Sequence, residues 1–268
     1  MNCPVVAYRA GLALIATTAV LPLVPLLIWS VARQWYFPRL VPMSWSLRAW
    51  GYVATPSAKI LPALGWSAAI AFTVAGLSLL AAVPAGRALG LARFRGKTFV
   101  EFLILAPIIV PSLASVMGIH VLFIRYGLAD TVLGVVLVHL IATVPYATLI
   151  MAGAFANFDV DFEDQARTLG ATAPQRVRWV TLPLVLPSLV VAFLFAFLIS
   201  WNQYVLTLLI GGGQVITLPL VLFTAATGGD YPVTAALALV FVAPAILVLL
   251  VSARHLRGSG GVQALGKL

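Results

Sequence analysis

Six uninterrupted apolar stretches constrain this chain more than any other feature of its sequence. A helix needs about 20 apolar residues to cross the hydrocarbon core of a bilayer, which is about 30 Å thick. Of the 268 residues, 62% are hydrophobic and 9% are charged, whereas about a quarter of a soluble domain is charged. The stretches predict an all-α membrane protein with six transmembrane helices, over residues 10–31, 64–86, 99–123, 131–155, 183–210 and 233–251. A seventh run, 215–226, is too short to cross and suits a re-entrant or interfacial segment.

The basic residues are distributed unequally between the loops that join these stretches. If both termini lie in the cytoplasm, the inner segments carry eleven Lys and Arg residues and the outer segments carry five. Cytoplasmic loops of membrane proteins carry such an excess. We therefore predict cytoplasmic N and C termini. The net charge of +9 is explained by insertion into a lipid bilayer and requires no nucleic acid.

Proline and small residues shape the predicted helices. Prolines occur in nearly every stretch, and a membrane helix tolerates proline where its neighbours satisfy the freed backbone carbonyl. We therefore expect kinked helices that pack on other helices. Gly86 and Gly90 have the four-residue spacing that allows two helices to approach closely. The partner helix could belong to this chain or to another subunit.

The seven carboxylates fall into two groups. Glu101, Asp130 and Asp230 lie near the starts of the third, fourth and sixth stretches, where each is placed to cap a helix. Because all three are explained by capping and none lies in the middle of a stretch, ion coupling by a secondary transporter has no evident carrier. The other four lie close together in the loop at about 157–182; they are Asp159, Asp161, Glu163 and Asp164.

The loop at 157–182 has the pattern of two short helices. Asp161 is a candidate N-cap for the first helix, and Gly170 is a suitable residue to end it. Thr172 and Gln175 have the spacing of a capping box for the second helix, with Pro174 in its first turn. Such a pair of helices beside a membrane suits docking to a soluble partner. The alternative is an amphipathic loop in solvent with no partner.

A specific pattern of residues begins in this loop and ends directly after it. Permease subunits of binding-protein-dependent ABC importers contain Glu-Ala-Ala, three residues, Gly, nine residues, Ile, one residue and Leu-Pro. The same intervals occur here, with Asp in place of Glu, Gln in place of the first Ala and Val in place of Ile. The matching positions are Asp164, Gln165, Ala166, Gly170, Val180, Leu182 and Pro183. The chain therefore resembles this family, and the resemblance extends to the six-span plan and to the basic turn ARFRGK.

The resemblance implies a type I importer fold, in which solute transport and ATP hydrolysis are carried out by different subunits. In similar permeases this loop forms coupling helices that lie in a cleft of a separate nucleotide-binding ATPase subunit. ATP and Mg²⁺ would then belong to that partner, and this chain would be a transport subunit with no catalytic residue and no cofactor. The resemblance assigns the coupling role to Phe162, Glu163, Asp164, Gln165, Ala166, Arg167, Gly170 and Pro183.

The remaining partners are also implied by the resemblance. They are a second permease subunit, identical or different, and an extracytoplasmic solute-binding protein that delivers the solute. The chain would form a single permease domain over 1–268 in the bacterial inner membrane, with a short cytoplasmic tail at 254–268. Its outer loops look more like the polyamine, thiamine, phosphonate and iron permeases than the sugar permeases. We therefore expect a small polar or charged organic solute, with a sugar as the alternative.

Polar residues cluster near the outer end of the fifth stretch. Asn202 and Gln203 would need hydrogen-bonding partners in lipid, so they either face a translocation path or bond to neighbouring helices. The candidate path residues are Trp201, Asn202, Gln203 and Tyr204.

Three patterns in the sequence resemble parts of enzyme sites, but none of them predicts an enzyme. Gly90 and the run Gly96-Lys97-Thr98 miss the phosphate-loop spacing by one residue and do not follow a strand. His120 and His139 lie in predicted spans without Cys or carboxylate at ligand spacing, so we expect neutral histidines bonded to carbonyls and no metal site. An intramembrane hydrolase would need a pairing such as Ser112 or Ser115 with His139, and no motif supports it.

Overall fold

The computed structural model describes residues 17–18, 20–36, 38–110 and 112–258, with the backbone alone at 112–114, 251 and 253–258. The protein is a mostly helical membrane protein, with 77% of the described residues in helices. Two sequence-based predictions lie partly outside the described residues. These are the start of the first predicted stretch and the end of the predicted tail, from residue 259 onwards. Cys3, Arg9 and Pro111 also lie outside the described residues.

The first part of the described chain combines short helices with a small hairpin. Helix α1 is followed by the two antiparallel strands β1 and β2 and by helix α2. Their bounds are Leu23–Ser30 for α1, Ala32–Gln34 for β1, Ser44–Trp45 for β2 and Arg48–Ala54 for α2. A short 3₁₀ turn, Pro56–Ala58, ends this segment.

Most of the remaining chain is helical. The helices run in the order α3 to α12, with a five-residue π-helical turn between α8 and α9. Their bounds are Ile60–Leu91 (α3), Lys97–Ile109 (α4), Ser112–Arg125 (α5), Val132–Ala156 (α6), Asp161–Thr168 (α7), Ala173–Arg176 (α8), Leu182–Trp201 (α9), Val205–Gly211 (α10), Leu218–Thr227 (α11) and Tyr231–Gly258 (α12).

Four helical segments in the described part are long and apolar enough to cross a membrane. They are Ile60–Leu91, Val132–Ala156, Ala173–Trp201 and Tyr231–Leu250. The second, fourth and sixth predicted stretches correspond to α3, α6 and α12. The seventh run corresponds to α11, a ten-residue helix that is too short to cross.

The third and fifth predicted stretches are each two helices. Between α4 and α5, Val110 has an extended backbone with φ −74° and ψ 132°, as expected for a residue that precedes a proline. Between α9 and α10, the chain leaves the helix at Asn202, whose Nδ2 donates to the carbonyl of Leu198 at 2.7 Å. Hydropathy does not detect either break because the flanking residues remain apolar.

Two of the three predicted caps at span ends are wrong. Helix α4 begins after Gly96 with no side-chain cap, and Glu101 instead lies 4.0 Å from Lys97. The N-cap of α6 is Thr131, whose Oγ1 accepts from the amide of Gly134 at 3.0 Å. Asp130 has a left-handed backbone with φ +61° instead.

The third predicted cap is confirmed. Asp230 precedes α12, and its Oδ1 accepts from the amide of Val233 at 3.2 Å. The same carboxylate forms a bidentate ion pair with Arg48, with both Nη2–O distances at 2.8 Å.

The chain divides into two compact units. The first comprises Met1–Leu64 and Leu220–Pro244, and the second comprises Gly65–Pro219 and Ala245–Leu268. In the first unit, the Arg48–Asp230 pair joins α2 to the start of α12, and the ring of Trp29 packs 5.4 Å from that of Tyr231. The prediction of a single domain over 1–268 stays a prediction.

In the second unit, two glycines bring α3 and α6 into close contact. A Cβ atom placed on Gly86 would lie 2.5 Å from Cβ of Met151, and one placed on Gly90 would lie 2.6 Å from Cβ of Phe155. Both neighbours are buried, so neither can move aside at low cost. The small-residue pair is therefore used for helix packing within the chain.

Candidate functional site

Helix α7 begins and ends with specific backbone contacts. The predicted N-cap Asp161 is wrong: Asp161 is the first residue of the helix, and Val160 occupies the N-cap position without a side-chain cap. The Oδ1 of Asp159 accepts from the amide of Asp161 at 3.0 Å. Gly170 ends the helix with φ +83°, a conformation that glycine adopts without the steric penalty of a Cβ. The amides of Gly170 and Ala171 donate to the carbonyls of Arg167 and Ala166, both at 3.0 Å, as in a Schellman motif.

Helix α8 connects the loop to the membrane-spanning helix α9. Its capping box is confirmed, with Gln175 Oε1 accepting from the amide of Thr172 at 2.8 Å. The π-helical turn Val177–Thr181 follows, and Pro183 is the second residue of α9. Because the wider turn loosens the hydrogen-bond ladder where proline lacks an N–H, the helix continues through Pro183 without a break.

The predicted coupling residues of α7 lie on two faces of the helix. Glu163 and Ala166 are partly buried, while the others are exposed. The exposed residues are Phe162, Asp164, Gln165 and Arg167. Asp164 and Arg167 pair with each other at 3.2 Å, and each side chain is more than half exposed. The helix therefore offers a charge pair to a partner on one exposed side, and the ring of Phe162 is exposed on another side, about 160° around the helix from Asp164.

Glu163 is held by residues of two other helical elements. Both of its carboxylate oxygens accept from the guanidinium of Arg87, at 2.7 and 2.6 Å. Its Oε1 also accepts from the hydroxyl of Thr181. The hydrogen bonds from Arg87, followed by that from Thr181 and the charge of Arg176, lower the pKa of Glu163 to about 2, against the opposing effect of burial. Glu163 is therefore a carboxylate at neutral pH.

Neither Arg87 nor Thr181 was predicted from the sequence to be part of this site. Arg87 is one of the eleven basic residues of the segments predicted to be cytoplasmic. The sequence did contain a signal for this pairing, because Arg87 directly follows the second predicted span and the acid-rich loop lies on the same predicted side of the membrane. The 76-residue separation of Arg87 from Glu163 hides the pairing from local spacing rules.

A cavity lies beside Phe162 in the second unit. Its volume is about 190 Å³. The lining residues come from the end of α6, the start of α7 and the first turns of α9; they are Ala154, Asn157, Phe158, Asp159, Phe162, Leu184, Val185 and Ser188. The half-exposed ring of Phe162 thus has open space on one side and solvent on another.

The four candidate path residues do not share an environment. Trp201 is buried and stacks on Phe197 with the ring centroids 5.7 Å apart. Asn202 is exposed, whereas Gln203 and Tyr204 are partly buried at the break between α9 and α10. Gln203 lines a cavity of about 10 Å³, which has room for one water molecule and for no larger solute.

His139 is buried in the second unit and is hydrogen-bonded to two hydroxyl groups. Its Nδ1 bonds to Ser200 Oγ at 2.9 Å and its Nε2 bonds to Thr207 Oγ1 at 3.0 Å. The partners are thus hydroxyls rather than the expected carbonyls. Both ring nitrogens are occupied, which leaves neither for the Ser112 or Ser115 that a hydrolase would need. Within the described residues, no group of three or more His, Cys, Asp and Glu side chains could hold a metal ion.

Comparison with known families gives one match over most of the chain. The matching family is described as a binding-protein-dependent transport system inner membrane component, and it matches residues 82–257. This range includes the loop at 157–182, α9 and most of α12.

Three relatives illustrate the range of similar proteins. The molybdenum transport system permease protein ModB of Mycobacterium tuberculosis is 36% identical, over 77% of this chain and 83% of its own length. The putrescine permease PotI of Escherichia coli K12 is 27% identical, over 72% and 71%. The spermidine/putrescine permease PotC of Haemophilus influenzae is 26% identical, over 78% and 82%.

Two solved structures have a similar fold. One is a bacterial ABC transporter involved in the import of the acidic polysaccharide alginate, with a TM-score of 0.73, 20% identity, and coverage of 93% of this chain and 95% of that one. The other is the inward-facing MetNI methionine ABC transporter, with a TM-score of 0.57, 16% identity, and coverage of 75% and 95%. At these identities the similarity is one of fold.

Proposed function

Because the chain belongs to the family of binding-protein-dependent transport system inner membrane components and is the permease subunit of an ABC importer, we propose that its loop at 157–182 couples transport to ATP hydrolysis on a separate subunit. The observation that carries this proposal is the exposed face of α7. Asp164 and Arg167 are exposed there, Phe162 is exposed on another side of the same helix, and α8 continues from the same loop into the membrane-spanning helix α9.

The proposed mechanism needs a difference in binding between two states. An ATPase subunit can drive the permease between conformations only if its contact with α7 and α8 differs in free energy between them. An aromatic ring beside a cavity and an exposed charge pair are groups whose burial changes when a partner closes. ATP and Mg²⁺ would be held by the ATPase partner.

The full assembly follows from membership of the family. We propose two ATPase subunits, a second permease chain that is identical or different, and an extracytoplasmic solute-binding protein. In this assembly the chain crosses the inner membrane six times, with both termini and the loop at 157–182 in the cytoplasm. The excess of basic residues on the inner segments supports this orientation.

The proposed solute is a small charged molecule, with a polyamine-like cation as the first candidate. The names of PotI and PotC support the polyamine class. The name of ModB supports a molybdate-like oxyanion as the second candidate, at the higher identity of 36%. The path residues Trp201, Asn202, Gln203 and Tyr204 remain a proposal for either solute, since Gln203 offers both donors and acceptors.

Binding to the solute-binding protein of the native complex distinguishes the candidates. We expect calorimetric titration of the solute-binding protein with putrescine, spermidine, molybdate and maltose to show binding of one class of these solutes. Binding of putrescine or spermidine supports the first candidate and binding of molybdate supports the second. Binding of maltose alone would favour the sugar alternative.

Two substitutions test the coupling loop. Asp164→Lys reverses the exposed charge, and Gly170→Pro places proline where φ is +83°, which proline cannot adopt. We expect both variants to insert in the membrane but to lose stimulation of the ATPase by the solute-binding protein. Glu101→Lys is the matched control. It reverses a charge outside the loop, and the carboxylate of Glu101 forms a long ion pair of 4.0 Å with Lys97. Normal stimulation in both loop variants would contradict the assignment.

A further inference from the structure

One carboxylate of α7 faces away from the exposed surface of the helix. The side chain of Glu163 is 12% exposed, whereas that of the neighbouring Asp164 is 52% exposed. Successive residues of a helix point about 100° apart, so the two carboxylates serve different partners. Asp164 is available to a docking subunit and Glu163 is not.

The partner of Glu163 is a helix that is itself tightly held. Arg87 lies on α3, one residue after Gly86 and three before Gly90, where α3 and α6 are in backbone contact. The guanidinium also lies 5.7 Å from the ring centroid of Phe155 on α6. The two parallel hydrogen bonds of an Arg–carboxylate pair restrict orientation as well as distance. The pair therefore fixes the position of α7 against the α3–α6 contact.

A third element joins at the same carboxylate. Thr181 is the last residue of the π-helical turn and immediately precedes α9, and its hydroxyl donates to Glu163 Oε1. α8 leads into that turn, and the side chain of Arg176 in α8 donates to the carbonyl of Ala171 at 3.2 Å. Glu163 thus ties α7 to the starting turn of a membrane-spanning helix and to the end of α3.

We propose that Glu163, held by Arg87 and Thr181, is a positioning residue that makes α7 move as one body with α3 and α9, so that motion of a docked ATPase subunit reaches the membrane helices through this ion pair. The inference rests on the proposed function, since it takes α7 to be the docking helix. It adds that the inner face of the helix transmits the motion that the outer face receives.

The experiment uses the full complex of chain, ATPase, second permease and solute-binding protein in detergent. Spin labels on Thr168→Cys in α7 and Leu80→Cys in α3, in a Cys3→Ser background, report the distance between the two helices. Stimulation of ATP hydrolysis by the solute-binding protein, measured as release of inorganic phosphate, reports coupling. In the otherwise unchanged complex we expect one narrow distance population and full stimulation.

Three variants form a double-mutant cycle: Glu163→Gln, Arg87→Gln and the two together. Each single variant is expected to show a second distance population and about a fivefold loss of stimulation, the factor for a pair that is partly exposed to solvent. The double variant should be no worse than either single variant, because the two side chains act through one interaction. Glu101→Gln, which removes a carboxylate from a loose exposed pair, is the control and should change neither readout.

The outcomes separate this inference from the proposed function. An unchanged distance or unchanged stimulation in Glu163→Gln would overturn the inference, as would effects of the two substitutions that simply add. If the unaltered chain neither retains an ATPase subunit nor responds to one, the proposed function fails. The distance readout within the chain would still report whether Glu163 positions α7.

Discussion

Glu163 and Asp164 are adjacent carboxylates with opposite environments. Glu163 accepts hydrogen bonds from Arg87 and Thr181, while Asp164 pairs only across one helical turn with the exposed Arg167. A buried or half-buried pair with bidentate geometry contributes more than an exposed one, because less of its attraction is screened by water. The two residues therefore differ in what their removal does, although both were grouped in one coupling set by the sequence.

The ion pair of Glu163 predicts a stability difference that depends on pH. Its pKa falls from 4.5 to about 2 in the folded chain, so its contribution is complete above pH 4.5. The contribution is lost as pH falls from 4.5 towards 2, because the unfolded chain binds the proton first. The charged groups near the carboxylate are Arg87 and Arg176.

We expect Glu163→Gln to unfold more easily than the unaltered chain at pH 7, by about 1 kcal/mol, because the pair is partly exposed to solvent. The difference should narrow at pH 3. Thermal unfolding in detergent, followed by tryptophan fluorescence at pH 7, 5 and 3, measures it. A difference that stays constant or grows on acidification would contradict the assigned ion pair.

His139 gives a second prediction for single residues. A double-mutant cycle of His139→Ala and Ser200→Ala should give a coupling energy of about 1 kcal/mol, as for hydrogen bonds between membrane helices. Ser188→Ala is the matched control on the same helix, about 18 Å from Ser200 by helical rise. Its effect should add to that of His139→Ala, and coupling of equal size at both serines would be inconsistent with the observed bonds.

The sequence predicted residues whose roles are local and missed those whose partners are distant. Gly170, Thr172 and Asp230 were identified because capping and helix termination depend on neighbours within a few positions. The Arg87–Glu163 and His139–Ser200 contacts join residues 76 and 61 positions apart. Asp130 was assigned wrongly because Thr131, one position later, competes for the same role, and periodicity cannot choose between adjacent caps.

At the scale of elements, α3 and α6 form a close contact within the second unit. Gly86 and Gly90 remove the side chains that would keep the two backbones apart. Ser78 on α3 also bonds to Thr143 on α6, with the hydroxyl oxygens 2.7 Å apart. Close backbone packing and a buried hydrogen bond are the interactions that hold helices together in lipid.

Gly86→Ala tests this packing. We expect the free energy of unfolding to fall by about 1–3 kcal/mol, because the added methyl group meets the backbone of Met151 and Ala152 and overpacks the contact. Gly76→Ala on the same helix is the matched control, since nothing lies within 4 Å of its added Cβ. It should be neutral or stabilising by up to about 1 kcal/mol. Equal effects of the two substitutions on the thermal midpoint in detergent would show that the contact is not tight.

The sequence predicted where helices occur, but it did not predict where a helix is interrupted. Apolar runs of membrane length located α3, α6 and α12 because burial in lipid requires that composition. The breaks after Ile109 and Trp201 depend on single residues, a proline and a side chain that bonds back to its own helix. Hydropathy is averaged over a window and does not respond to either.

At the scale of the whole molecule, the orientation of the chain decides whether its loop can meet an ATPase. Leu169 lies beside α7 and is 88% exposed, and Leu40 lies between β1 and β2 and is 91% exposed. With Cys3 replaced by Ser, Leu169→Cys should react with a membrane-impermeant maleimide only in inside-out vesicles. Leu40→Cys, the matched control, should react only in right-side-out vesicles. Labelling of Leu169→Cys from the outer face would contradict the predicted topology.

We propose that this permease moves solute only when a separate ATPase acts on its loop. Uptake of the solute bound by its solute-binding protein into proteoliposomes, with and without the ATPase subunits and ATP, measures this dependence. We expect uptake only when the ATPase subunits and ATP are both present, and loss of that uptake in Asp164→Lys. Equal uptake by the permease alone would show that no ATPase is required.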